Sequence, residues 1–176
     1  EMALEGKNSI MPSIVRKSST PYQWEIGYGD LKDIANVEKM RGHQMSLIET
    51  TKAGFEKAFG YQPAGLWSAP GRANLIGEHT DYNNGFVLPF GIDKRTYAAM
   101  SPRQDWLCRV ATSLGGELIE FELKNTAPEG LDWALYPLGV AWVMHEGMTG
   151  GFDLYLDSDV PVGAGLSSSA AVECSV

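Results

Sequence analysis

One stretch of the sequence has the residue types needed to hold phosphate groups. Residues 161–171 read PVGAGLSSSAA and follow an alternating apolar stretch that predicts a strand. Glycines let backbone amides approach a phosphate closely, and the N-terminus of a following helix offers unpaired N–H groups and the positive end of its dipole. Serine hydroxyls there can cap the helix, donate to phosphate oxygens or bind Mg²⁺. Because Leu166 precedes the serines where the Walker pattern requires lysine, the stretch is not a phosphate loop of the Walker class.

A second stretch concentrates the polar side chains that bind sugars. Residues 71–82, GRANLIGEHTDY, carry one arginine, two carboxylates, an imidazole and an amide between apolar neighbours. Carboxylates accept hydrogen bonds from sugar hydroxyls, whereas arginine and histidine donate to ring or hydroxyl oxygens. Arg72 could instead stabilise the charge on a phosphoryl group in transfer.

Each stretch also has a plainer explanation when it is taken alone. The glycines and serines could simply form a turn and cap a helix, although three consecutive serines exceed what one cap requires. The polar stretch could be a surface turn with a local pair between arginine and glutamate. Taken alone, neither pattern decides between these explanations and a binding site.

The elements that must position these stretches are strands and helices that pack in layers. A capping box at Ser46 and a stop at Gly60 predict a helix over about residues 47–59. Asp132 is placed to cap a second helix, whose first turns Pro137 bends or delays. A turn is predicted at Pro70 and Gly71, and the strands lie at residues 66–68, 96–100, 107–112, 119–123 and 152–156. This order predicts an α+β architecture.

Composition restricts the class of protein. The net charge of −8 disfavours nucleic acid and anionic membrane surfaces as partners, so an anionic ligand needs backbone amides, a helix N-terminus or a metal ion. The sequence has no long apolar run and no signal pattern at its start, which predicts a cytoplasmic protein. Cys108 and Cys174 lie in apolar stretches and are predicted to be buried free thiols. The three histidines are too far apart for a zinc site.

The two ends of the chain indicate a fragment. It begins at Glu1, without methionine, and stops at Val176, a few residues into a predicted buried helix. Residues 1–44 show no sustained apolar period and are expected to form an irregular extension of unknown role. Residues 45–176 are expected to form part of one domain.

Together the two stretches resemble a known family. GRANLIGEHTDYNNGFVLP, within residues 70–89, resembles the galactokinase signature, and DVPVGAGLSSSAA, which includes residues 161–171, resembles the second conserved motif of the GHMP kinases. The resemblance extends from about Met45 to Val176. It implies the α+β N-terminal domain of GHMP kinases, truncated before the C-terminal domain, and phosphorylation of the anomeric hydroxyl of α-D-galactose by ATP with Mg²⁺.

The resemblance also implies roles for particular residues. Arg72 matches the arginine that stabilises the transition state, and Ser169 matches the magnesium ligand. Trp133 and Tyr136 resemble the pair that lines the adenine pocket, although both could be ordinary core aromatics. The segment that binds galactose hydroxyls matches Glu78, His79, Thr80 and Asp81. The loop that binds the ATP phosphates matches Gly163, Ala164, Gly165, Leu166, Ser167, Ser168 and Ser169.

Some features of the sequence limit what the resemblance implies. Leu135 replaces a common asparagine between the two aromatics, and Pro137 follows them. The resemblance therefore does not fix the shape of the adenine pocket. The family's catalytic aspartate and second magnesium ligand fall beyond residue 176, and we therefore expect the fragment alone to be inactive. The alternatives are a sensor that binds galactose and ATP without turnover, and a kinase for a related sugar such as N-acetylgalactosamine or galacturonate. Such sensors can lack residues just after the serine cluster, so the presence of Ala170 and Ala171 favours the enzyme. No protein partner is predicted.

Overall fold

The part of the chain that the computed structural model describes contains seven β-strands and three α-helices. It comprises residues 9–16, 24–30, 34–77, 80, 83–123 and 131–176. The chain divides into two compact units, Glu1–His43 and Gln44–Val176. Within the described residues, no helix is long and apolar enough to cross a membrane.

The first unit contains a pair of antiparallel strands, β1 (Ser9–Arg16) and β2 (Trp24–Asp30), and the start of helix α1 (Ile34–Phe59). The prediction that residues 1–44 are irregular is therefore wrong for these elements. Backbone hydrogen bonds join two strands without any requirement for a sustained apolar period, so the sequence pattern did not indicate the pair.

Helix α1 begins earlier than predicted and ends where predicted. The expected capping box at Ser46 is wrong, because Ser46 lies inside the helix. The preceding residues 36–45 contain no proline and several strong helix formers, so the helix continues through them. At the other end Gly60 adopts φ of +84°, and its N–H donates to the carbonyl oxygen of Glu56 at 2.8 Å, which confirms it as the stop.

The second unit contains a five-stranded sheet in the order β3-β4-β7-β5-β6. Its strands pair antiparallel except for β5 and β7, which are parallel. The predicted strands are confirmed, and the first two are longer than expected. The bounds are β3 Gly65–Ile76, β4 Leu88–Pro102, β5 Leu107–Thr112, β6 Ile119–Glu122 and β7 Phe152–Ser158.

The turn predicted at Pro70 and Gly71 is wrong, because β3 runs through both residues. Proline is tolerated here because β3 is at the edge of the described sheet, where a missing N–H leaves no neighbouring strand unpaired. The two residues instead produce a shift of register, since Pro70 lies opposite Arg95 and Arg72 lies opposite Gly91.

Two helices cover one face of the sheet and confirm the α+β architecture. These are α2 (Leu135–Met144) and α3 (Ser168–Ser175), and the fully buried core between helices and sheet includes Val110, Leu138 and Leu154. Asp132 does not cap α2 as predicted. It opens a short 3-10 helix, and α2 then starts at Leu135 without a side-chain cap, since Pro137 in its first turn needs no N–H acceptor.

The two cysteines differ in burial. Both are free, as predicted, and Cys108 is fully buried, which raises the pKa of its thiol to about 11. The prediction that Cys174 is buried is wrong, because this residue is exposed. In α3 the buried residues Ala171 and Ser175 stand one turn apart on the face that meets the protein, and Cys174 lies beside that face.

Candidate functional site

The glycine and serine loop has the backbone geometry of a tight, partly left-handed connection between β7 and α3. Gly163 and Gly165 both have φ of +72°, and Ser167 has φ of +58°. A side chain at either glycine would be strained there, and Ser167 carries a strain of about 1 kcal/mol. Ser167 is the N-cap of α3, but its side chain makes no capping hydrogen bond. The loop therefore delivers Ser168 and Ser169 to the first turn of the helix.

A cavity of about 490 Å³ lies beside this loop. That volume is within the range of small-molecule sites in proteins, roughly 300–1,000 Å³. It brings together residues from both ends of the predicted nucleotide site, because Trp133 and Tyr136 line it along with Gly163, Ser168 and Ser169. The other predicted loop residues, Ala164, Gly165, Leu166 and Ser167, do not line it. The remaining lining residues are Thr96, Thr112, Leu114, Gly115, Leu156, Ser158, Val160, Val162 and Val172.

The turn between β5 and β6 is a wall of this cavity that the sequence analysis missed. It contributes Leu114 and Gly115 to the lining, next to Thr112 at the end of β5. The pair Gly115 and Gly116, whose φ angles are +94° and +109°, is a turn signal visible in the sequence, although nothing in it indicates a ligand. The turn is fixed by Ser113, whose N–H donates to the carbonyl of Leu156 at 2.9 Å.

A buried carboxylate on the opposite face of β7 supports the same turn. The side chain of Asp157 accepts a hydrogen bond from the hydroxyl of Ser113 at 2.6 Å and another from that of Thr50 at 2.8 Å. Asp157 is 8% exposed, so both hydroxyls contact it out of bulk water. The wall of the cavity is thereby connected to α1 through one carboxylate.

The entrance of the phosphate loop is attached to β4 by Asp159. One carboxylate oxygen accepts the backbone N–H of Arg95 at 2.6 Å, and the other accepts the ammonium group of Lys94 at 3.2 Å. The N–H of Asp159 in turn donates to the carbonyl of Arg95 at 3.2 Å. These contacts fix the direction in which the chain leaves the sheet.

The sugar-binding stretch meets the phosphate loop through the main chain. The N–H of Arg72, in β3, donates to the carbonyl oxygen of Leu166 at 3.0 Å. The two predicted motifs are therefore neighbours in the fold, although 94 positions separate Arg72 from Leu166 in the sequence (166 − 72 = 94).

Of the predicted galactose-binding residues, the structure describes Thr80, and Glu78, His79 and Asp81 lie outside the described residues. The hydroxyl of Thr80 shares its one hydrogen between two backbone carbonyls, that of Gly77 at 2.6 Å and that of Phe86 at 3.2 Å. Its own carbonyl accepts the N–H groups of Asn83 and Gly85, at 3.0 and 2.8 Å. Thr80 therefore joins the end of β3 to the described residues that lead into β4.

Comparison with known proteins identifies related sequences and folds. The galactokinase galactose-binding signature matches residues 53–102, and the GHMP kinase N-terminal domain matches residues 136–176. The galactokinase of Streptomyces coelicolor is 47% identical over 134 residues, which is 73% of this chain and 34% of the relative. The galactokinase of Chloroflexus aurantiacus is 46% identical over 135 residues, 75% of this chain and 35% of the relative. The chain thus spans about a third of the length of these relatives.

Solved structures agree with the sequence comparison. Lactococcus lactis galactokinase complexed with galactose superimposes with a TM-score of 0.60 at 31% identity, covering 72% of this chain and 34% of that one. The mevalonate kinase of Methanococcus jannaschii superimposes with a TM-score of 0.55 at 19% identity, covering 63% of this chain and 37% of that one, a likeness of fold alone. The described sheet and helices therefore have the fold of the GHMP kinase N-terminal domain.

Proposed function

Because this chain belongs to the galactokinase family of GHMP kinases, we propose that its protein transfers the γ-phosphate of MgATP to the anomeric hydroxyl of α-D-galactose. The product is galactose 1-phosphate. The observation that carries the proposal is the shared cavity, in which the aromatics Trp133 and Tyr136 lie with the phosphate-loop residues Gly163 and Ser169. One bound ATP molecule would contact all four.

In this proposal the cavity holds the nucleotide. Trp133 and Tyr136 offer aromatic surface for the adenine, and Ser168 and Ser169 present hydroxyls and helix N-terminal amides to the phosphates. The net charge of −8 would repel an anionic nucleotide, and the backbone dipoles at the start of α3 offset that repulsion without additional lysines. We assign Gly163 to Ser167 to the same loop, as positioning or phosphate-contacting residues.

The sugar is assigned to the turn that follows β3. Its proposed ligands are Glu78, His79, Thr80 and Asp81, and the support is the match of residues 53–102 to the galactose-binding signature. In the reaction the anomeric oxygen forms a bond to the γ-phosphorus, the bond from that phosphorus to the β–γ bridging oxygen breaks, and ADP leaves. The sugar hydroxyl gives its proton to a general base, the role of the family's catalytic aspartate, and the guanidinium of Arg72 stabilises the charge on the transferring group.

The described residues fit a magnesium ion in part. Ser169 supplies a hydroxyl oxygen, a donor that Mg²⁺ accepts, and no cluster of three or more histidine, cysteine or acidic side chains occurs among the described residues. Ions of this kind retain waters and bind mainly through phosphates and one or two protein groups. When bound with ATP, Mg²⁺ would neutralise phosphate charge. A cytoplasmic location, and action without a nucleic-acid, membrane or protein partner, complete the proposal.

The test is a sugar panel with the full-length protein. ADP release is measured with galactose, N-acetylgalactosamine, galacturonate and glucose, and the expected result is highest kcat/KM for galactose. Faster turnover of the N-acetylated or acidic sugar would replace galactose as the substrate. Binding of galactose and MgATP by calorimetry without any ADP release would identify a sensor instead. Arg72→Lys, which keeps a positive charge but loses the planar guanidinium, should retain binding and lose most of kcat.

A further inference from the structure

The contact between the two motifs lies beside a shift of register in β3. Between Pro70 and Arg72 the register against β4 jumps from Arg95 to Gly91, so two steps along β3 correspond to four along β4. Directly after this shift Arg72 pairs with Gly91, and its N–H donates to the carbonyl of Leu166. A main-chain donor of the edge strand β3 is thus directed at the phosphate loop.

The missing side chain of Gly71 makes this approach possible. A Cβ at Gly71 would stand 2.9 Å from the carbonyl oxygen of Leu166 and 3.0 Å from side-chain carbons of Ile92 and Val160. The first of these neighbours is main chain and cannot swing away as a flexible side chain can. Because Gly71 is buried among the three, an added methyl group would push the loop away from β3.

The loop needs such an external contact at this position. Leu166 stands between Gly165 and Ser167, both of which have left-handed backbone conformations, and the side chain of Ser167 makes no capping bond. A strained backbone of this kind persists only where surrounding contacts determine it. The bond from Arg72 supplies a contact from outside the loop, immediately before the helix that carries Ser168 and Ser169.

We propose that Gly71 and Leu166 are positioning residues that fix the phosphate loop relative to Arg72 through the main chain. The inference rests on the proposed function. It gives Arg72 two tasks, since the proposed function assigns its side chain to the transferring phosphoryl group and its own N–H holds the loop that binds the phosphates. This hydrogen bond then joins Arg72 directly to the loop that binds the phosphates.

The test uses Gly71→Ala in the full-length protein with Gly91→Ala as its matched control. Gly91 lies opposite Arg72 in β4, and a Cβ there would meet only Pro70, at an ordinary contact distance of 3.4 Å. Calorimetry gives the affinities for MgADP and for galactose. We expect Gly71→Ala to weaken MgADP binding about tenfold or more, since the loss of one hydrogen bond to a charged phosphate suffices for a change of this size. The affinity of Gly71→Ala for galactose should stay within about twofold of that of the unmodified protein. The control Gly91→Ala should bind both MgADP and galactose as tightly as the unmodified protein.

A second variant separates loop position from core packing. In the double variant Gly71→Ala with Val160→Ala, the contact with Val160 is removed and that with the Leu166 carbonyl remains. We expect Gly71→Ala to lower Tm less in the Val160→Ala background than in the unmodified protein. MgADP affinity of the double variant should still be lower than that of Val160→Ala alone. Full recovery of MgADP affinity would show that packing was the cause and would overturn the inference.

Hydrogen exchange measured by NMR tests the contact without any substitution. The Arg72 amide should be protected from exchange, and saturating MgADP should increase that protection; an unprotected Arg72 amide would overturn the inference even if no variant folds. If the unmodified protein fails to bind MgADP, the proposed function itself is wrong. If it binds MgADP and Gly71→Ala binds equally tightly, only the positioning role is wrong.

Discussion

Replacing Asp153 by asparagine is expected to destabilise the second unit strongly while leaving its site residues in place. Asp153 is fully buried in β7, and its carboxylate accepts hydrogen bonds from the Nε and Nη2 of Arg109 at 2.7 and 2.5 Å. It also accepts the hydroxyl of Tyr61 and the Nη1 of Arg103 at 3.2 Å. Asparagine keeps the shape but removes the charge that these donors face.

The magnitude follows from the burial of the partners. Removing one member of a fully buried ion pair costs about 3–5 kcal/mol. The side chains of Arg103 and Arg109 are 21% and 23% exposed, so water compensates part of the lost charge and we expect about 2–4 kcal/mol. For a protein of this size, such a loss lowers Tm by roughly 5–15 °C.

The assay is equilibrium unfolding in urea, with Asp105→Asn as the control. Asp105 pairs with the same Arg103 at 2.7 Å, but its side chain is 56% exposed, and its loss should leave the midpoint nearly unchanged. The lower urea midpoint of Asp153→Asn should persist in 1 M salt, since salt screens buried ion pairs only weakly. Equal midpoints for the two variants would refute the assignment of Asp153 as a buried structural anchor.

The same pair should respond to pH in a defined direction. Burial alone would raise the pKa of Asp153, but hydrogen bonds from Arg109 and Tyr61, with the charges of Arg109 and Arg103, hold the pKa below its usual value. A carboxyl whose pKa is lowered by folding stabilises the protein above its unfolded pKa, and that stabilisation is lost as pH falls through the folded pKa. The difference between unmodified protein and Asp153→Asn should therefore shrink in strong acid. A constant difference down to full protonation would contradict the lowered pKa.

Three further predictions test the site and its surroundings. Trp133→Ala should weaken MgADP binding by about tenfold, from the loss of aromatic stacking, while Trp142→Ala, outside the cavity, should leave it unchanged; equal effects in calorimetry would contradict the adenine assignment. Ser167→Gly should raise the free energy of unfolding by up to about 1 kcal/mol by relieving the left-handed strain, and a loss of stability in urea would show that the strain is absent. A thiol reagent at pH 8 should modify the exposed Cys174 rapidly in the folded chain and Cys108 only after unfolding. The reason is that burial shields the Cys108 thiol and raises its pKa to about 11. Rapid modification of both cysteines in the folded chain would contradict the burial of Cys108.

The sequence predicts best where a residue has a local physical reason for its position. The stop at Gly60 requires a left-handed backbone, and the structure has one there. The alternation in Phe152, Leu154 and Leu156 predicts a strand with one buried face, and those residues form part of the core. Leu166 before the serines excludes the Walker loop, and this distinction needs only the order of residues.

The sequence predicts poorly where distant contacts decide the outcome. Pro70 and Gly71 have the signature of a turn, but an edge position in the sheet and the approach of Leu166 make both residues part of a strand. The turn that includes Leu114 and Gly115 lines the cavity because Ser113 and Asp157 hold it there, a contact between residues 44 positions apart. The helix start at Ile34 was missed because the S-x-x-E pattern at Ser46 is equally possible inside a helix.

The most direct test of the proposed function identifies the position of the phosphate in the product. The full-length protein is incubated with MgATP and galactose, and the sugar product is examined by ³¹P and ¹H NMR. We expect the anomeric proton to show coupling to phosphorus, which places the phosphate on the anomeric oxygen. A phosphorylated sugar without that coupling, or release of ADP without any sugar phosphate, would contradict the proposed function.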